Sequence, residues 1–136
     1  MNNFLLLHPI GQFIAFFCGL LNLMALGRKK PLNKSLHINL GVMYYFLSLL
    51  GAVTGFIVCR FFFTSSFSYM VVHGLPGILI VITFSVGAVT GFKMLNSSKS
   101  SNNLRRYHKF VNILSLFIFL SQGVTAALWM LTDKFN

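Results

Sequence analysis

The chain has 136 residues, of which 56% are hydrophobic and 9% are charged, and its formal net charge is +10. Soluble domains carry about 25% charged residues, so this composition excludes a water-soluble globule and predicts a membrane protein. The bases lie between long apolar runs rather than on one soluble face, which excludes a nucleic-acid-binding module. Cys18 and Cys59 lie in apolar segments without a CxxC or CxxCH motif, so zinc ribbons and covalently attached haem are excluded as well.

Four apolar segments follow one another along the chain and predict four transmembrane helices, over about 4–27, 35–62, 68–95 and 104–131. Roughly 20 helical residues rise about 30 Å, the thickness of a bilayer core. Short connections between the segments favour an up-down bundle. The sequence therefore predicts an all-α membrane protein, a four-transmembrane-helix up-down bundle that forms a single transmembrane domain over residues 1–136.

The basic residues predict the orientation of this bundle. Nine of the eleven Lys and Arg flank the first and third loops, and Arg60 and Lys134 are the two on the opposite side. Positive charge accumulates on the cytoplasmic side of membrane proteins. We therefore expect both termini outside and both basic loops in the cytoplasm, in a bacterial inner (plasma) membrane. The nine residues are Arg28, Lys29, Lys30, Lys34, Lys93, Lys99, Arg105, Arg106 and Lys109.

The sequence contains four histidines, and each lies near the start of one apolar segment. In the predicted topology His8 and His73 lie near the outer face, and His37 and His108 near the inner face. Helices one and three of an up-down bundle are diagonal to each other, as are two and four. Two imidazoles converging from opposite helices are the axial ligands of a b-type haem. The pattern predicts two bis-histidine haem sites, with incidental interfacial histidines as the alternative.

One phrase is repeated at a constant distance from a histidine. His37 and His73 are each followed by thirteen residues and then by Gly-Ala-Val-Thr-Gly-Phe, at 51–56 and 87–92. Fourteen helical residues rise about 21 Å, so each phrase lies at the depth of the other histidine pair. The helical period also places its glycines near the face of their own histidine. We expect these glycines to clear space for a porphyrin, at the outer site for the first phrase and the inner site for the second: Gly51, Gly55, Gly87 and Gly91.

Gly41 and Gly77 each follow a histidine by four residues, and we expect them to clear space around that helix's own haem. The alternative for the repeated glycines is a GxxxG motif, which brings membrane helices together without a cofactor.

Polar residues near the histidines are candidates for supporting roles. Arg106 and Lys109 are predicted to meet haem propionates, although topogenic charge explains both equally well. Gln12 and Asn112 each follow a histidine by four residues, and they are expected to hydrogen-bond either a group behind the ligands or another helix.

At these residues the chain resembles the cytochrome b561-like membrane proteins, and especially a small four-helix group described as a conserved domain of unknown function. The resemblance covers nearly the whole chain. It rests on His8-Pro9, on His37 with Gly41, Gly51 and Gly55, on His73 with Gly77, and on Arg105-Arg106-Tyr107-His108 followed by Gln122-Gly123-Val124-Thr125. The chain departs from the longer b561 proteins in having four predicted helices, with no flanking ones and no motif for an ascorbate site.

The resemblance implies a bundle with two b haems that passes electrons across the membrane. By this similarity His37 and His108 hold the inner haem, and His8 and His73 the outer one. The expected partners are the lipid bilayer, an unidentified electron donor and acceptor (a quinone or a redox protein) and other subunits of a membrane oxidoreductase, with no nucleic acid. The alternative function is that of a haem-free membrane anchor or assembly subunit in a larger complex.

Overall fold

The computed structural model of the chain describes residues 4–26, 33–62, 67–97 and 101–132, and these form four α-helices. The helices are α1 (Phe4–Leu26), α2 (Lys34–Phe62), α3 (Phe67–Asn96) and α4 (Asn102–Thr132). Their bounds differ by at most two residues from the predicted ones, although Gly27 lies outside the described residues. All four are long and apolar enough to cross a membrane. The prediction of an all-α, multi-pass membrane protein is confirmed.

Polar side chains start two of these helices. The Asn33 carboxamide oxygen accepts hydrogen bonds from the backbone N–H groups of Ser35 at 3.1 Å and Leu36 at 3.4 Å. The Ser101 hydroxyl accepts one from the N–H of Leu104 at 3.2 Å. Both are N-caps, which satisfy N–H groups that have no partner inside the helix. Asparagine and serine in the hydrophilic linkers thus determine where α2 and α4 begin.

The four helices lie around a square in chain order, so that α1 contacts α2 and α4, and α3 contacts α2 and α4. The diagonal pairs, α1 with α3 and α2 with α4, make no close backbone contact among the described residues. The most extensive interfaces are α1 with α2 and α3 with α4. Neighbours run antiparallel, because His8 at the start of α1 contacts Thr54 near the end of α2. The bundle is therefore two helical hairpins packed side by side.

Each helix turns one stripe of residues, three or four positions apart, towards the bundle interior. At mid-depth the stripes form the buried core, where large side chains from all four helices pack together: Ala15, Cys18, Tyr44, Ile80, Phe84, Leu116 and Phe119. Towards both ends the same stripes carry polar residues and glycine. The interior is thus apolar in the middle and polar near each face.

The outer surface of the bundle is apolar. Large side chains on every helix are more than half exposed, among them Phe13 on α1, Phe56 on α2, Phe92 on α3 and Phe117 on α4. In water so extensive an exposed apolar surface is unfavourable, whereas lipid tails solvate it. The side chains that a soluble protein would bury are here turned to the bilayer.

Five of the predicted cytoplasmic bases lie in the described part of the chain: Lys34, Lys93, Arg105, Arg106 and Lys109. They occupy the start of α2, the end of α3 and the start of α4, which lie at one end of the bundle. Other residues of the base count lie outside the described residues, namely Arg28, Lys29, Lys30, Lys99 and Lys134, as does the side chain of Arg60.

Close packing at mid-depth makes Gly19 a sensitive position. A Cβ atom there would lie 2.7 Å from Cε1 and Cζ of Tyr44 and 2.9 Å from Cδ1 of Leu116. We expect Gly19→Ala to lower the free energy of unfolding by about 1–3 kcal/mol, the usual cost of overpacking. Gly11→Ala is the control, because a Cβ at Gly11 meets nothing within 4 Å. That control should be neutral or raise stability by up to about 1 kcal/mol, since alanine favours a helix over glycine. SDS-induced unfolding in mixed micelles measures both, and equal effects would contradict this account of the core.

Candidate functional site

The bundle brings the four histidines together in two diagonal pairs. The ring centroids of His8 and His73 are 6.1 Å apart, with an angle of 73° between the ring planes. Those of His37 and His108 are 6.3 Å apart, at 72°. The first pair joins α1 to α3 and the second joins α2 to α4, at opposite ends of the bundle. These are the pairs that the sequence pattern predicts.

The separation within each pair matches two imidazoles that share one metal ion. A metal-bound imidazole nitrogen lies about 2.0 Å from the ion, and its ring centroid roughly 1.1 Å further, so opposed rings have centroids roughly 6.2 Å apart. The observed values are 6.1 Å and 6.3 Å. An edge-to-face contact between two rings falls in the same range without any metal, at about 4.5–7 Å. The distance alone therefore permits ligation and does not require it.

The second copy of the repeated phrase fixes the tautomer of His108. The Thr90 hydroxyl donates to the backbone carbonyls of Val86 at 2.9 Å and Gly87 at 2.8 Å. The Nδ1 atom of His108 lies 3.0 Å from this hydroxyl oxygen and 3.0 Å from the Gly87 carbonyl oxygen. Because both oxygens act as acceptors there, Nδ1 carries the proton and donates. The Nε2 atom is then unprotonated and available to a metal, the usual state of a metal-bound histidine.

The first copy of the phrase makes a similar contact with His8. The Thr54 hydroxyl donates to the Gly51 carbonyl at 3.2 Å. Its oxygen lies 3.3 Å from Nδ1 of His8, within hydrogen-bond distance. In each hairpin, the phrase on one helix thus orients the histidine of the adjacent helix. The sequence pattern contained these threonines at constant positions, but their role was missed because side-chain contacts between helices cannot be inferred from spacing.

Glycine in the phrase makes room for those histidines. A Cβ at Gly55 would lie 2.8 Å from Cε1 of His8, and one at Gly91 would lie 3.2 Å from Cε1 of His108. The first glycine of each phrase faces an amide instead: Gly51 faces Gln12, and Gly87 faces Asn112 at 2.9 Å. The space in front of these four glycines is thus filled by polar side chains of the neighbouring helix. That they clear space for a porphyrin stays a prediction, and the packing role of GxxxG is equally consistent with these contacts.

Gly41 and Gly77 also face amides, each on the adjacent helix. A Cβ at Gly41 would lie 3.3 Å from Nδ2 of Asn22, and one at Gly77 would lie 3.2 Å from Nε2 of Gln122. The Gln122 amide donates to the backbone carbonyl of His73 at 2.9 Å. Each histidine pair is therefore accompanied by two amides and by glycines that admit them. Asn22 follows His8 by fourteen residues and Gln122 follows His108 by fourteen, the offset that Gly51 and Gly87 have from their histidines. The spacing argument that identified Gln12 and Asn112 considered only the residue four positions after a histidine, so it missed this signal.

The other two amides hydrogen-bond backbone carbonyls. Gln12 donates to Leu47 on α2 at 3.3 Å, and Asn112 donates to the carbonyl of His108 at 2.7 Å. Arg106 and Lys109 are exposed and lie beside His108 at the basic end of the bundle. Their predicted contact with propionates stays a prediction.

Each histidine pair borders a crevice between the helices. The crevice beside His8 and His73, named the outer crevice after the predicted orientation, has about 230 Å³ of space. The crevice beside His37 and His108, named the inner crevice, has about 300 Å³. These values include space open to the surroundings, and the enclosed volume of each crevice is only about 20 Å³. Pockets for small molecules usually measure about 300–1,000 Å³, so a porphyrin requires side chains such as Gln12 and Asn112 to turn away. The outer crevice is lined by His8, Gln12, Ser48, Gly51, Ala52, Gly77, Ile80 and Gln122. The inner one is lined by Gly19, Asn22, Leu23, His37, Tyr44, His108 and Asn112.

The donor set discriminates between kinds of metal site. Among the described residues no group of three or more His, Cys, Asp or Glu side chains could hold a metal ion. A protein-only zinc site uses three or four such ligands, so these residues do not fit one. Haem iron takes four nitrogens from the porphyrin and needs two from the protein, which is what each pair offers. The residues fit haem in their ligands, although the crevices are small.

Comparison of the chain with family models, curated proteins and solved structures gives no match. The resemblance to the cytochrome b561-like proteins therefore stays a prediction.

The contact between phrase and histidine predicts the effect of removing a hydroxyl. Thr90→Val retains the side-chain shape but removes the acceptor for Nδ1 of His108, so it should lower the free energy of unfolding by about 0.5–1.5 kcal/mol. Thr83→Val is the matched control on the same helix, because the Thr83 hydroxyl bonds the Leu79 and Ile80 carbonyls of α3 itself. SDS-induced unfolding of both variants measures the difference. A loss in Thr83→Val as large as that in Thr90→Val would show that the contact with His108 has no net value.

Proposed function

We propose that this protein is a membrane b-type cytochrome that carries two bis-histidine haems and transfers electrons across the bilayer. His8 and His73 are the ligands of one haem, and His37 and His108 those of the other. The observation that supports this most is the paired geometry: two diagonal histidine pairs at opposite ends of one bundle, with centroid separations of 6.1 Å and 6.3 Å. A buried imidazole is expensive in a membrane, and four of them in two such pairs favour a shared cofactor.

The hydrogen bonds behind the histidines support the same proposal. A metal-ligating histidine commonly donates its second ring N–H to a carbonyl or another oxygen, which fixes the ring and raises the basicity of the bound nitrogen. Thr54 does this for His8, and Thr90 with the Gly87 carbonyl does it for His108. A histidine that merely sits at the membrane interface needs no such partner because water reaches it. In this proposal the repeated phrase positions one ligand of each haem.

The protein's part in electron transfer is to hold and isolate the cofactors. Each haem supplies an iron that accepts and releases one electron, while the protein supplies ligands, orientation and a dry surrounding. The apolar layer at mid-depth separates the two sites. Arg106 and Lys109 lie beside the inner site, where their charge would favour propionates or an anionic donor. The repeated glycines, with Gly41 and Gly77, keep helix backbone rather than side chains around each site.

We further propose the orientation and partners of this cytochrome. The bases at the His37–His108 end favour a cytoplasmic location for that end, with both termini outside, in a bacterial inner membrane. Electrons then pass between a donor on one side and an acceptor on the other, a quinone or a redox protein. The chain acts alone or as the membrane subunit of a larger oxidoreductase.

A second candidate function is that of a haem-free anchor or assembly subunit. The observation that favours it is the filling of both crevices by Gln12 and Asn112, which lie against glycines and let the helices pack without a cofactor. The apolar perimeter of the bundle is equally suited to packing against other membrane subunits.

Absorption spectroscopy of the purified protein separates the two functions. The cytochrome should show a low-spin b-type spectrum with about two haems per chain. His108→Ala should retain about one haem, because the His8–His73 pair is separate, and a chain carrying both His8→Ala and His108→Ala should retain none. Ser121→Ala is the control, since its exposed hydroxyl bonds the Ile118 carbonyl of its own helix, and it should keep both haems. Colourless protein from haem-supplemented cells would refute the cytochrome and leave the anchor.

Cysteine labelling tests the orientation independently of any cofactor. Thr64 lies in the sequence between α2 and α3, on the side of the membrane that we propose to be outside. In a background with Cys18→Ala and Cys59→Ala, Thr64→Cys should therefore react in intact cells with a maleimide that cannot cross the membrane. Ser101→Cys lies at the basic end of the bundle and should react only after the cells are opened. Labelling in the reverse order would overturn the proposed orientation and leave the haem proposal standing.

A further inference from the structure

The inner crevice contains polar atoms that the protein does not satisfy. Within the described residues, the Asn22 Oδ1 atom, the His37 Nδ1 atom and the Tyr44 hydroxyl are buried and have no hydrogen-bond partner. All three residues line the same crevice, which has about 300 Å³ of space. Tyr44 is 97% buried, since only 3% of its surface is exposed. One confined space therefore gathers a carboxamide oxygen, a ring nitrogen and a phenol that all lack partners.

These three atoms lie on the α1 and α2 side of the crevice. On the α4 side, Nδ1 of His108 meets Thr90 and the Gly87 carbonyl, and the Asn112 amide donates to a backbone carbonyl. In the outer crevice the amides of Gln12 and Gln122 likewise donate to backbone carbonyls. A buried polar group without a partner is costly in a membrane interior. The exception at Asn22, His37 and Tyr44 therefore indicates that something else binds there.

Serine hydroxyls inside the bundle also differ in whether they have a hydrogen-bond partner. Several serine hydroxyls in the bundle bond carbonyls of their own helix, as Ser85 does with Val81 at 2.8 Å and Ser121 with Ile118 at 2.8 Å. The buried Ser48 hydroxyl at the outer crevice does not, and it has no partner among the described residues. The Ser115 hydroxyl, which is wholly buried, has no partner among the described residues. It approaches the Tyr44 hydroxyl without reaching hydrogen-bond geometry. Ser115 thus extends the group of unsatisfied polar atoms towards the centre of the bundle.

Water fits the chemistry of this group. Asn22 Oδ1 only accepts, a hydroxyl donates and accepts, and Nδ1 of a neutral imidazole does one or the other. A water molecule offers two donors and two acceptors, and buried waters are held by two to four such partners. The macrocycle of a haem does not serve, because its ring nitrogens bind iron and leave no N–H for Asn22. Water therefore matches the hydrogen-bonding chemistry of all three groups.

We propose that the inner crevice is a hydration site that holds ordered water between Asn22, His37 and Tyr44. The water accepts a hydrogen bond from one of these groups and donates to Asn22 Oδ1, and at Tyr44 it extends the network to Ser115. It thereby gives Nδ1 of His37 the partner that the repeated phrase gives to His108. One ligand position of this pair is oriented by protein and the other by water.

Removal of the Tyr44 hydroxyl should shift the unfolding midpoint in opposite directions for a hydrated and a dry crevice. Tyr44→Phe removes one oxygen and keeps the ring, so in a dry crevice it eliminates an unsatisfied group and should raise the unfolding midpoint. In the hydrated crevice it removes a partner of the water, and we expect the midpoint to fall by several degrees. The matched control is Tyr107→Phe, because Tyr107 is exposed and its midpoint should not change. A raised or unchanged midpoint for Tyr44→Phe overturns the proposal.

Coupling and direct observation complete the test. Asn22→Leu removes a second partner with little change of volume, and Tyr44→Phe should then cost less in the Asn22→Leu background than in the native chain. Additive effects overturn the shared water. An experimental structure of the native protein that resolves ordered solvent should show density within hydrogen-bond distance of Asn22 Oδ1. Absence of that density overturns the proposal even if a variant fails to fold.

Discussion

A polar ring inside a membrane bundle needs space and a hydrogen-bond partner, because an unpaired polar group is costly there. In this protein the phrase Gly-Ala-Val-Thr-Gly provides both. Its threonine meets Nδ1 of a histidine on the adjacent helix, and its second glycine leaves room for the ring. The hairpins α1–α2 and α3–α4 each depend on one copy of this contact, and their interfaces are the most extensive in the bundle. The packing of each hairpin and the position of its histidine therefore depend on the same contact.

The same constraint explains why the bundle is polar at its ends and apolar at its centre. The histidines and amides lie at the two levels where glycine on a facing helix admits them. Between these levels large side chains fill the interior, and Tyr44 packs against Phe84 and Phe119. A cofactor at each end would consequently be separated from the other by an apolar layer. This layering suits transfer between two sites, and it also accounts for a stable bundle that holds no cofactor.

Within each histidine pair, one ring meets a threonine of the repeated phrase: His8 meets Thr54, and His108 meets Thr90. In the inner pair, His108 meets a carbonyl and a hydroxyl of α3, while Nδ1 of His37 has no partner among the described residues. The cause lies in chain order: the phrase on α3 faces α4, and the phrase on α2 faces α1, so each copy serves the helix beside it. Val124 and Thr125 follow His108 at the offsets that Val53 and Thr54 have from His37. They do not repeat this role, because Thr125 is exposed and bonds the Gln122 carbonyl of its own helix.

Sequence alone determined the membrane class, the four helices and the depth of each histidine, because hydropathy, length and rise per residue are local properties of the chain. The diagonal pairing of His8 with His73 and of His37 with His108 followed from helix order and is present in the structure. Tertiary structure alone decided what faces the glycines and that Thr54 and Thr90 contact histidines of the adjacent helices. These contacts depend on helix rotation and on side-chain rotamers across an interface. Spacing along one helix cannot specify either, because both are determined by packing against a neighbour.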